Sequence, residues 1–123
     1  MRKLAVSINL LLVLCVLATC GASQREKTIK TTLAAVNDAR DMFIVLDSKI
    51  QNAIADSAKS VEDGIARLDA YKKKREAGVA VFEAAYRSIA IAATANDEKS
   101  VVMMLSTIAQ VKQLIETLKG LAP

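Results

Sequence analysis

A chain of 123 residues, 53% apolar, with one proline and four glycines, has room for one domain. Its scarcity of turn-forming residues disfavours a many-stranded β fold. Its net charge of +4 falls to +2 once Arg2 and Lys3 are set aside, because 15 Lys+Arg then face 13 Asp+Glu. With no Trp, two Phe and two Tyr, it lacks the basic excess and the stacking groups of a nucleic-acid binder.

The chain opens on a basic start, Met1-Arg2-Lys3. An apolar run of about 15 residues follows, Leu4 to Ala18, broken only by Ser7 and Asn9, and then a small-residue exit. This is the pattern of a secretory signal peptide, and the run is shorter than the roughly 20 residues that span a bilayer. The string Leu17-Ala18-Thr19-Cys20 resembles the lipobox of bacterial lipoproteins. Leu17 and Ala18 match that pattern, and Thr19 stands where Gly, Ala or Ser is usual. The resemblance implies a signal peptide over residues 1–19 and diacylglyceryl modification of Cys20. It also implies cleavage before that cysteine and a lipid-anchored protein of the cell envelope. Gly21, where Asp would mark inner-membrane retention, favours the outer membrane if the host is Gram-negative. Two rival readings are cleavage after Ala22, giving a periplasmic or secreted protein, and an uncleaved anchor. Under the lipoprotein reading Cys15 leaves with the signal, and the two cysteines form no disulfide.

Residues 20–24 read as the lipidated Cys20 and a short tether, and residues 25–123 as a helical domain. The first helix is expected from about Ser23 to Ser57. Ile29, Val36, Phe43 and Ile50 recur seven apart, as on a seam that packs against another helix. Asp56 to Gly64 breaks the pattern, and Ser60-Val61-Glu62-Asp63 has capping-box spacing with Asp in the final place. The second helix carries Val61, Ile65, Leu68, Val79, Phe82, Tyr86 and Ile89. Thr94 to Ser100 is the next break, where Asn96 or Asp97 can cap. The third helix carries Val101, Met104, Ile108, Val111, Ile115 and Leu118, with Gly120 expected to end it. Lengths of about 35, 35 and 23 residues correspond to roughly 50, 50 and 35 Å. Short connections predict an all-α, up-down-up antiparallel three-helix bundle with long first and second helices, following a cleaved signal peptide.

The absence of histidine removes Ser-His and Cys-His nucleophile pairs, His-bearing zinc sites and Glu-x-x-His di-iron sites. The glycines stand alone, so no phosphate-binding loop is formed. The acids Glu62/Asp63 and Asp97/Glu98 fall at helix starts, where they offset the dipole. No catalytic residue, metal site or cofactor is expected. Glu26–Lys30, Asp63–Arg67, Asp69–Lys73 and Glu83–Arg87 are acid-then-base pairs four apart, suited to a solvent face.

Tyr71 to Gly78, YKKKREAG, is the least ordinary stretch of the helical region. Four consecutive cations sweep the helix circumference at 100° per residue. Either the seam swings through Tyr71 and Gly78, with Arg75 laying its stem along the core, or the packing loosens; the band reads as solvated and snorkelling, with an anionic-ligand site as the rival reading. The third helix is expected to give out beside residues 73 to 75. That would leave a tip two helices thick, with Ile50, Ile54, Ile65 and Leu68 thinly covered. These four, with Tyr71, Lys72, Lys73, Lys74 and Arg75, form the candidate surface for a protein partner or for self-association. The expected function is a non-enzymatic, membrane-anchored structural or protein-binding module. The competing readings are a membrane-active or lysis-associated lipoprotein of phage type, a secreted periplasmic helical protein, and a small-ligand carrier, for which the Ala-rich core leaves little cavity.

Overall fold

A computed structural model describes residues 21–123, so the signal-like segment and Cys20 lie outside the described residues. The described chain is all-helical and free of strands: α1 (Gly21–Ser57), α2 (Val61–Ala95) and α3 (Glu98–Leu121). Every helix packs against the other two. The first helix already covers residues 21–24, which the sequence read as tether.

The breaks form for the reasons their residues supply. Ser60 takes an extended backbone, and its Oγ accepts the Asp63 N–H at 3.1 Å, which caps α2. Asp63 reaches back to the N–H of Lys59 at 3.0 Å, one residue beyond the reciprocal partner of a standard capping box. At the far end of α2, Asn96 adopts the left-handed conformation, φ 48°, which Asn tolerates better than most side chains. Its N–H closes on the Ala92 carbonyl at 3.0 Å. Asp97 then caps α3, accepting the Ser100 N–H at 2.7 Å. Gly120 does not end α3. The helix continues to Leu121, and the Ala122 N–H bonds the Leu118 carbonyl at 2.9 Å.

The core draws on all three helices. Val36, Phe43, Leu46 and Ile50 come from α1, and Val101, Met104, Val111, Ile115 and Leu118 from α3. On α2 the buried line runs through Gly64, Tyr71 and Gly78, then Phe82, Ala85, Ile89 and Ala92. The expected swing through Tyr71 and Gly78 is therefore present. The same rotation turns Val61, Ile65 and Val79 outward, where the sequence placed them on the seam. The cause is the basic run. Keeping Lys72, Lys73 and Lys74 in water obliges α2 to present Tyr71 and Gly78 inward.

Gly78 sits at a close approach between helices. A methyl group built there would sit 2.8 Å from Phe43 Cε2 and 3.3 Å from Leu114 Cδ1. Phe43 is held edge-on to Phe82, with ring centroids 5.3 Å apart and planes at 62°. Polar side chains stitch the flanks of the core. Tyr86 Oη donates to Asn37 Oδ1 at 2.6 Å, and Ser88 Oγ meets Thr107 Oγ1 at 2.8 Å.

Candidate functional site

The basic run of α2 meets α1 through one half-buried carboxylate, Asp47. Tyr71 Oη donates to its Oδ1 at 2.8 Å, and Gln51 Nε2 donates to its Oδ2 at 3.0 Å. The Arg75 guanidinium lies 4.0 Å from the same Oδ2. Burial raises the Tyr71 phenol above its ordinary range, the hydrogen bond to Asp47 and the charge of Asp47 raise it further, and Arg75 opposes weakly. The group is a polar staple between two helices. The raised phenol stays protonated near neutrality.

This staple dismantles part of the expected partner surface. Tyr71 is buried at 6% exposure and Ile50 at 4%. Ile54 is half-buried against the core, and Leu68 is half-buried. The expectation that Ile50 is thinly covered and that Tyr71 belongs to an open patch is therefore corrected. Leu118, near the end of α3, is fully buried, and Ala122 just beyond the helix packs on the core cluster. Tyr71 also crosses to α1 one turn before Ile50. Ile65 does stand out at 56% exposure, and Lys72, Lys73 and Lys74 are exposed. Arg75 is half-buried, as its stem along the core requires, and Lys72 lies 4.0 Å from Glu76.

Of the four acid-then-base pairs read from spacing, Glu26–Lys30 closes at 3.0 Å and Asp63–Arg67 at 3.7 Å. Arg67 also donates to Ser57 Oγ at 3.1 Å across the α1–α2 break. Asp69–Lys73 and Glu83–Arg87 are not among the ion pairs of the described residues. At the other break, the backbone and side chain of Ser100 hold the Asp97 carboxyl below its usual range, helped by the nearby charges of Lys99 and Arg25. Arg25, in the second turn of α1, therefore lies near the α2–α3 connection.

Among the described residues no group of three or more His, Cys, Asp or Glu is placed to hold a metal ion. One shallow depression, lined by Arg87, Ala90, Ile91, Thr94 and Ala95, belongs to α2 alone and is open to solvent. No protein-family model, characterised protein or solved structure matches this chain.

A second surface was not anticipated. On α2 the exposed residues Ala77, Ala84 and Ile91 recur seven apart, and on α3 so do Met103, Gln110 and Thr117. The Ser88–Thr107 contact brings these two faces side by side. Each helix contains an 18-residue window of mean hydropathy 1.2, long and apolar enough to cross a membrane by length and composition alone. Only 28% of each window is buried in the bundle. The signal was present as small residues repeating at helical spacing on the side of α2 away from its seam. Small residues on several sides of the second half of α2, Ala84, Ala85, Ala90, Ala92 and Ala93, read from sequence as allowing close helix approach, not as an exposed face.

Proposed function

We propose that the protein is a lipid-anchored envelope lipoprotein whose helical domain works as a non-enzymatic structural or protein-binding module. The observation that carries this reading is the string Leu17-Ala18-Thr19-Cys20, placed after a basic start and an apolar run and directly before the helix that opens at Gly21. A single acyl chain anchors weakly, and the two or three chains of this lipid class anchor stably. The helices follow an up-down-up course in this reading. Support comes from the order of the cross-links: Asn37 pairs with Tyr86, and Asp47, further along α1, pairs with Tyr71, earlier in α2. The short connections also favour antiparallel neighbours. Exposed Ile65, on the same face as exposed Lys72 seven residues on, is what remains of the partner surface at the α1–α2 end, with Lys73 and Lys74 exposed on other sides of α2.

The test is the intact mass of protein extracted from membranes, with and without Cys20→Ser. A diacylglyceryl-bearing mass that disappears in the variant supports the anchor, and an unlipidated chain cut after Ala22 refutes it. The apolar windows of α2 and α3 favour a second reading, a membrane-active lipoprotein. Leakage of dye from vesicles carrying the acylated protein would establish that role, and intact vesicles at full surface coverage would remove it.

A further inference from the structure

The exposed face formed by α2 and α3 differs in charge from the rest of the surface. Lys73, Lys74 and Lys99 stand on it or at its border, all exposed. Of the acids of α2, Asp69, Glu76 and Glu83 fall on the α1 side of the Ala77–Ala84–Ile91 line by helical geometry, and Glu62 and Asp63 stand in the first turn, at the far end of that line from Ile91. On α3, Glu98 and Glu116 are likewise turned away from the Met103–Gln110–Thr117 line. By contrast, α1 exposes both signs of charge, Glu26, Asp38, Asp41 and Asp56 together with Lys27, Lys30, Arg40 and Lys49. The α2–α3 face is thus cationic and weakly apolar, and α1 is mixed in charge.

We propose that the α2–α3 face rests on an anionic lipid surface, with α1 turned toward water. The inference rests on the lipid-anchor reading and deepens it. Three observations choose lipid over a second copy of the chain. The windows have the hydropathy of a membrane span yet leave most of their residues outside the core. The charged groups of the face are lysines, which complement anionic headgroups, and each lysine near such a surface is worth about fivefold in occupancy. In the lipid-anchor reading, the chain preceding Gly21 holds the domain at a membrane. Small residues such as Ala77 and Ala84 bind lipid weakly, and an anchor removes the need for strong binding. Once the protein is tethered, the face has only to select an orientation.

The chain has no tryptophan, so single tryptophans report without background. Met103→Trp probes the face and Val45→Trp probes α1; both positions are more than half exposed in the bundle. The full chain, made in a bacterial host and lipidated, is reconstituted into phosphatidylethanolamine–phosphatidylglycerol vesicles containing lipids brominated on their acyl chains. The expected result is quenching and a blue shift for Met103→Trp and neither for Val45→Trp. Combining Lys73→Gln, Lys74→Gln and Lys99→Gln should weaken the contact by about 100-fold at low salt, the product of three fivefold losses. Equal quenching at both positions, or none at Met103→Trp in protein that floats with the vesicles, overturns the proposal. A blue-shifted but unquenched Met103→Trp in protein that cross-links as a dimer overturns it in favour of a second copy. An intact mass without lipid removes the anchor reading and this inference with it, so the two failures are told apart by mass and quenching.

Discussion

Replacing Gly78 by alanine sets two opposing effects against each other. In an ordinary helix interior the change would stabilise by about 1 kcal/mol, because glycine loses the most backbone freedom on folding. Here the new methyl would lie 2.8 Å from Phe43 Cε2 and 3.3 Å from both Leu114 Cδ1 and Phe43 Cζ. Ordinary carbon contacts lie near 3.5–4.0 Å, so the ring must retreat by about 1 Å. Phe43 is almost fully buried and lodged edge-on against Phe82, which leaves no free rotamer to absorb that shift. Overpacking of this kind costs about 1–3 kcal/mol, so the clash outweighs the propensity gain by about 1 kcal/mol. For a domain of this size the expected Tm falls by about 4–8 °C, read by far-UV circular dichroism. Gly120→Ala is the control, since nothing lies within 4 Å of its added methyl and the position is exposed. It should leave Tm unchanged or raise it slightly. Phe43→Leu combined with Gly78→Ala should recover about 1 kcal/mol relative to the sum of the single changes. A Gly78→Ala protein at or above the wild-type Tm, or a pair of changes that simply adds, would refute the close-approach argument.

Ser60→Ala removes the side-chain acceptor for the Asp63 N–H and should cost about 1 kcal/mol, seen as a lower urea midpoint at unchanged slope. For Tyr71, a phenol raised on folding contributes stability that is complete below the ordinary value of 10.0 and is lost as pH climbs above it. Urea midpoints in alkaline buffers should therefore decline, and Tyr71→Phe should flatten the decline while lowering stability near neutrality. Asp97 has the opposite sign, because a carboxyl lowered on folding contributes stability present above the unfolded carboxylate range and lost on acidification. Asp97→Asn keeps a capping oxygen and should show a shallower acid dependence between about pH 5 and 2. An acid titration of stability that superimposes on the wild type would show that Asp97 does not titrate with folding.

Helix positions were legible because heptad spacing and capping residues are local signals. Ile29, Val36, Phe43 and Ile50 did point inward, and Ser60, Asn96 and Asp97 did mark the breaks. The rotation of α2 was legible only in part. The cations of residues 72–75 announced that the seam must move or the packing loosen, yet Val61, Ile65 and Val79 still read as core by hydrophobicity. Their exposure follows from which face Tyr71 and Gly78 claim. The Asp47 staple was not legible, since it joins residues 24 and 28 positions apart that become neighbours only when α1 and α2 pack. The burial of Ile50 and Tyr71 was not legible for a related reason, since their cover comes from packing between helices.

The left-handed turn at Asn96 has a kinetic consequence. With only Asn96 and Asp97 between α2 and α3, almost no loop entropy opposes the meeting of those two helices. The connection before α2 is nearly as short, three residues. Contacts between successive helices therefore form at low contact order, the regime in which helical domains fold in microseconds to milliseconds. A chain whose folded surface already shows Ile91, Met103 and Val45 to solvent spends little time with its core exposed as well. That brevity, more than the charge on its surface, would keep neighbouring copies from aggregating as they fold.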